Sequence, residues 1–189
     1  MSINFKNVLL ILGVGIVGGL ILLRLYSMQH SSESAHWSAG RCVYGPFELK
    51  INEHDCSGIR FGGGEVLTFG YDLDDSKLIR DGVVEGNKVT IRMRPWGSPL
   101  GRSFLNIKGM QSIKSEHGRS VYVVNGAKVV VFQGADGGLV YVDPGITTYE
   151  LDRMYIKKYE VIYHFNKSRD DFENIDKAVL ELLDNIIVR

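Results

Sequence analysis

The chain has 189 residues, and its 22 basic and 22 acidic side chains give a formal charge of zero. The basic residues are spread singly among acids, which argues against the basic stripe of a nucleic-acid binder. The part after about Trp37 is long enough for one domain of ordinary size.

The N-terminal segment is an apolar run, residues 8–23, between Lys6 and Arg24. With its flanks it approaches the roughly 20 apolar residues that cross a bilayer, and it contains no charge. No triplet of small residues follows closely, which favours a retained anchor over a cleaved signal or a buried soluble helix. We expect an anchor at 1–26, a polar linker at 27–38 and one domain at 39–189.

Two cysteines, Cys42 and Cys56, follow the anchor. Pairing them would close a loop of about 15 residues and stabilise the domain by roughly 3 kcal/mol. A disulfide needs an oxidising compartment, whereas the charges around the run favour an inside N-terminus only slightly. We therefore expect a single-pass protein of the bacterial inner membrane with its domain in the periplasm. Two reduced, buried thiols are the alternative, and no metal site is expected because His36 and His54 add too few ligands.

The domain is predicted to be rich in strands. The apolar–polar alternation of half-buried strands occurs at residues 47–51, 65–71 and 89–93. Asn125-Gly126 between two β-branched runs predicts a two-residue hairpin turn. Further turns are expected at residues 85–87 and 134–138, and a long strand or hairpin is expected over 149–165. Together these elements predict an antiparallel meander.

The C-terminal segment changes period. From Phe172 onward the apolar residues are three and four positions apart, which predicts an amphipathic helix. Ser168 is the expected N-cap, and acidic residues follow it in the first turn. We expect the apolar face to pack on the sheet, in an α+β fold; a helix that binds a partner is the alternative.

Catalytic signatures are weak in this sequence. Four features resemble parts of catalytic sites, and each lacks its companions: the glycines at 62–64, Ser98 before Pro99, His54-Asp55 and Glu116-His117. We therefore expect no enzyme activity and no cofactor.

The segment 92–102 is the most unusual loop, since it holds two of the four prolines, one of the two tryptophans and three arginines. Tryptophan and arginine are enriched at binding hot spots, and proline lowers the entropy that a loop loses on binding. We expect Arg94, Trp96 and Arg102 to contact a protein partner. The alternative is that Trp96 caps the core and the arginines are solvated. Replacing both arginines is expected to weaken binding with little effect on the melting temperature.

Both ends of the domain, residues 41–51 and 178–189, resemble those of a known family. The family comprises periplasmic immunity proteins that neutralise lipase effectors of type VI secretion. In those proteins a cysteine and a glycine lead into the first strand, and the terminal helix ends with an arginine. The chain departs from the family at Asn52-Glu53, where a proline is expected. The resemblance implies an α+β inhibitor that occludes an enzyme.

The leading interpretation is a membrane-anchored periplasmic binding protein, an immunity protein that sterically blocks a secreted lipase or wall hydrolase. The alternative is a structural or assembly component of an envelope or secretion machine, in which Gly15, Gly18 and Gly19 would let membrane helices approach closely. A phage exclusion protein is a further alternative.

Overall fold

The computed structural model describes residues 35–62, 66–79, 86–97, 107, 109–124 and 126–188. The predicted anchor 8–23 lies outside these residues, as does residue 85 of the turn expected at 85–87. None of the helices within the described part is long and apolar enough to cross a membrane.

The described residues form thirteen strands and two helices. The strands are β1 His36–Ser38, β2 Arg41–Tyr44, β3 Phe47–Leu49, β4 Arg60–Gly62, β5 Val66–Asp72, β6 Lys77–Ile79, β7 Lys88–Pro95, β8 Lys114–Glu116, β9 Arg119–Val124, β10 Ala127–Gln133, β11 Leu139–Pro144, β12 Thr148–Tyr155 and β13 Tyr159–Asn166. The helices are α1 Glu53–Gly58 and α2 Phe172–Ile186.

Ten of the strands form one antiparallel sheet in the order β4-β5-β7-β13-β12-β11-β10-β9-β8, with β6 also paired to β5. Neighbours from β8 to β13 are consecutive in the chain, so the predicted antiparallel meander is confirmed. β13 then pairs with β7, which connects the meander to the earlier strands. The three remaining strands form a small sheet in the order β1-β2-β3.

Val124 pairs with Ala127, so β9 and β10 are joined by two residues, as the Asn125-Gly126 pattern predicts. Asn125 itself lies outside the described residues. Gly126 has a φ of 82°, in the left-handed region that this turn requires and glycine adopts without a steric penalty. The local turn chemistry therefore sets the register of β9 and β10.

Helix α2 packs on one face of the large sheet, as predicted. Ile175, Val179 and Leu183 are buried in the same cluster as side chains of the central strands. Ser168 is not the N-cap: the helix begins later, with Asp171 in that position and without a side-chain capping bond. The start is fixed by packing, because Phe172 contacts Tyr149 edge-on at 4.9 Å between ring centroids.

The small sheet is joined to the C-terminus and to α1. Leu49 bridges Ile187, and the Val188 N–H donates to the Glu48 carbonyl. The predicted disulfide is present between Cys42 in β2 and Cys56 in α1. The last three residues of the expected linker, 36–38, form β1.

Candidate functional site

The face of the large sheet opposite α2 carries the candidate site. In β12, Arg153 and Tyr155 are buried towards the helix, so Met154 between them points to the other face. Tyr141 lies between buried Val140 and Val142 in the same way. The alternation that builds the core therefore also presents a second row of side chains.

At one end of this face, the β10–β11 and β12–β13 turns border an open groove of about 630 Å³. We call it the hairpin groove, and its lining residues are Trp96, Asp136, Gly137, Gly138, Leu139, Tyr141, Met154, Ile156 and Lys157. Three large apolar side chains are unusually exposed here: Trp96 by 45%, Leu139 by 49% and Ile156 by 39%. Large apolar side chains grouped around a concavity are typical of a surface that a partner covers.

The β12–β13 turn holds its groove residues in an unfavourable backbone conformation. Ile156 has a φ of 45° and Lys157 a φ of 58°. A β-branched residue in the left-handed region is a genuine outlier, because its Cβ crowds the neighbouring carbonyl. Such strain is concentrated at functional sites, where the position of a side chain matters more than the stability of its turn.

Replacing Ile156 with glycine is expected to raise the free energy of unfolding by about 0.5–1 kcal/mol, because the left-handed penalty disappears. Urea unfolding followed by circular dichroism measures this difference. The matched control is Ile146→Gly in the β11–β12 turn, where isoleucine is 97% exposed and has no positive φ. A destabilisation by both substitutions would contradict the strain argument.

Of the three side chains predicted to contact a partner, Trp96 lines the groove. Its backbone N–H donates to the Lys158 carbonyl at 2.8 Å, which fixes the end of β7 against the β12–β13 turn. Arg102 lies outside the described residues.

Arg94 has a different environment from the expected one. Its Nη2 donates to Glu160 Oε1 at 2.7 Å and its Nε donates to Oε2, a bidentate pair that raises the pKa of Arg94. The Arg94 side chain is only 12% exposed and that of Glu160 only 2%. Removing Arg94 would leave a buried carboxylate, so the expectation of an unchanged melting temperature does not hold for this residue.

One side of the groove is attached to the core by a buried cation. Arg153 Nη1 donates to both Asp176 oxygens, at 2.6 and 2.7 Å, and its Nη2 donates to Asp136 in the β10–β11 turn. Tyr163 also donates to Asp176, and burial raises the pKa of Tyr163 well above its ordinary value. Arg153 and Asp176 are completely buried, so this network holds the turn on α2.

The β10–β11 turn requires glycine at two positions, because a side chain there would collide with the buried ion pair. A Cβ on Gly134 would lie 2.6 Å from an Asp176 oxygen and 2.8 Å from Arg153 Nη1. A Cβ on Gly138 would lie 2.9 Å from Arg153 Nη2. The glycines therefore let the backbone approach the buried ion pair closely, a role that the sequence analysis did not assign.

Acid should weaken the fold through its paired carboxylates. Burial raises the pKa of Asp136, but the Gly138 amide and Arg153 lower it by more, and Arg119 lowers the pKa of Glu173. A folded-state pKa below the unfolded value of about 4 gives stability that is present above pH 4 and lost as the pH falls.

We therefore expect the free energy of unfolding to decrease from pH 5 to pH 3, measured by urea titration. Glu173→Gln should make that decrease smaller, since one of the titrating groups is removed. A decrease of equal size in both proteins would show that this carboxylate contributes nothing to the acid sensitivity.

The four weak catalytic features gain no reactive partners within the described residues. The His54 carbonyl accepts a bond from the Ser57 hydroxyl, and Glu116 and His117 lie on the surface. No group of three or more His, Cys, Asp or Glu residues in this part of the chain is arranged to hold a metal ion. Residues 63–64 and 98–99 lie outside it.

Comparisons of the chain with protein-family models, with curated proteins and with solved structures each gave no match. The functional inference therefore depends on the chemistry and geometry of the chain itself. The hairpin groove is the feature that carries it.

Proposed function

We propose that this is a membrane-anchored periplasmic binding protein, and specifically an immunity protein that sterically blocks a secreted antibacterial lipase or wall hydrolase. It acts without catalysis, by occupying the surface around the toxin's active site. The hairpin groove is the docking surface, and its exposed apolar side chains are the single observation that carries the proposal.

The groove has the properties of a binding hot spot. Trp96 and Tyr141 offer large, rigid aromatic surfaces, and such residues contribute much of the energy at interfaces. The Arg153 network and the Trp96 backbone bond hold the surrounding turns before a partner arrives. A preorganised surface loses little conformational entropy on binding, which supports tight association.

The proposed periplasmic location is supported by the apolar N-terminal run and by the disulfide. Residues 8–23 form the anchor in the inner membrane, and the Cys42–Cys56 disulfide supports a domain in an oxidising compartment. Anchoring confines the inhibitor to the membrane surface, where a lipase or wall hydrolase acts. Confinement raises the local concentration without any additional contact.

The test is a growth assay in a bacterial host. The product of the neighbouring reading frame is exported to the periplasm with and without this chain. Immunity predicts that the neighbour arrests growth and that the chain restores it, while a catalytically dead neighbour needs no protection. A neighbour that is harmless in the periplasm, or a chain that gives no protection, would contradict the proposal.

A component of an envelope machine is the second candidate, favoured by Gly15, Gly18 and Gly19 within the apolar run. Replacing residues 1–26 with a cleavable export signal separates the two. An inhibitor keeps most of its protective effect as a free domain, whereas a component that depends on helix packing in the membrane loses its function.

A further inference from the structure

Two charged residues, Asp136 and Lys157, line the hairpin groove, and Asp136 already has hydrogen-bond partners within the protein. Its Oδ1 accepts from the Gly138 amide at 2.9 Å and also from Arg153. Lys157 is exposed at the tip of the β12–β13 turn. The ammonium of neighbouring Lys158 instead lies 5.1 Å from the ring centroid of Tyr159, a core residue. Within the described residues, no carboxylate lies at ion-pair distance from Lys157. Lys157 therefore places a positive charge beside the apolar surface of the groove.

We propose, on the basis of the proposed function, that the partner docks through an acidic protein segment that places an apolar side chain in the hairpin groove and a carboxylate against Lys157. The apolar side chain covers Leu139 and Ile156, which are otherwise exposed. The carboxylate gives direction and register to the contact, since charge complementarity determines specificity and association rate more than total affinity.

The concave shape favours a protein segment over a lipid surface. The groove is open to solvent, with walls from two turns and a base that includes Tyr141 and Met154, so a protruding apolar side chain can enter it. A volume of about 630 Å³ is within the usual range for a site that buries a compact apolar group.

The probe is a random peptide display library, selected against the full chain held in nanodiscs of uncharged phosphatidylcholine. We expect the enriched peptides to place aspartate or glutamate next to a large apolar residue. Lys157→Glu should weaken the binding of a selected peptide about fivefold, because the reversal replaces attraction with repulsion. Adding salt should weaken binding to the unmodified chain and strengthen it to the variant.

Lys128→Glu is the matched control, because Lys128 is an exposed lysine at the other end of β10. It should leave peptide binding unchanged. Enrichment of basic or uncharged peptides, or no enrichment, would overturn the inference. It would also be overturned if peptides bound in phosphatidylcholine nanodiscs but not in anionic phosphatidylglycerol nanodiscs, because the groove would then bind lipid. Loss of binding in Leu139→Asp but not in the lysine variant would overturn the charge inference while leaving the proposed function intact.

Discussion

Replacing Arg153 with methionine is expected to lower the free energy of unfolding by about 3–5 kcal/mol, the usual cost of breaking a buried ion pair from one side. The reason is that Asp176 is completely buried and would lose the cation that compensates its charge. Chemical unfolding in urea at pH 7 measures the loss.

The matched control is Arg119→Met. Arg119 also pairs with a carboxylate of α2, donating from Nη2 to Glu173 at 2.6 Å, but both residues of that pair are partly exposed. It should cost about 1 kcal/mol or less. The double variant Arg153→Met/Asp176→Leu should recover part of the loss, since neither charge of this pair remains, although the Tyr163 hydroxyl loses its acceptor. Equal effects for Arg153 and Arg119 would contradict the role given to the buried network.

Replacing Cys42 and Cys56 with serine is the second large expected effect, a loss of about 3 kcal/mol from a cross-link with a sequence separation of 14. The bond joins β2 of the small sheet to α1, in addition to the main chain that connects β3 to α1. Urea unfolding of the oxidised protein and of the double-serine variant gives the difference.

Dithiothreitol provides the control. It should lower the stability of the unmodified protein to that of the serine variant and leave the variant unaffected. A reduced protein as stable as the oxidised one would remove the thermodynamic reason for export to an oxidising compartment.

The parts of the fold that could be predicted are those with local chemical signals. The Asn125-Gly126 turn and the three- and four-residue spacing after Phe172 each specify an element without distant contacts. The pairing of β13 with β7 could not be predicted, because it joins segments about 70 residues apart and no local pattern encodes it.

The candidate site was only partly predictable for the same reason. Trp96 was identified by its residue type, but its groove partners come from two turns that the sheet brings beside it. The turn at Ile156 and Lys157 has none of the glycine, asparagine or aspartate residues that normally indicate a left-handed backbone. The buried ion pair did leave a signal: Asp176 lies among the apolar positions of α2, where a charge requires a buried partner.

The central claim is that the hairpin groove binds the toxin. The most direct measurement is the affinity, by isothermal titration calorimetry, of the full chain and its Leu139→Asp variant for the neighbouring reading frame's product. Ile146→Asp is the control, since that side chain is 97% exposed in the β11–β12 turn, at the opposite end of β11 from Leu139. The account predicts a loss of about thirtyfold or more for Leu139→Asp, equivalent to at least 2 kcal/mol at a hot spot, and no change for the control. An affinity that is the same in all three proteins would contradict it.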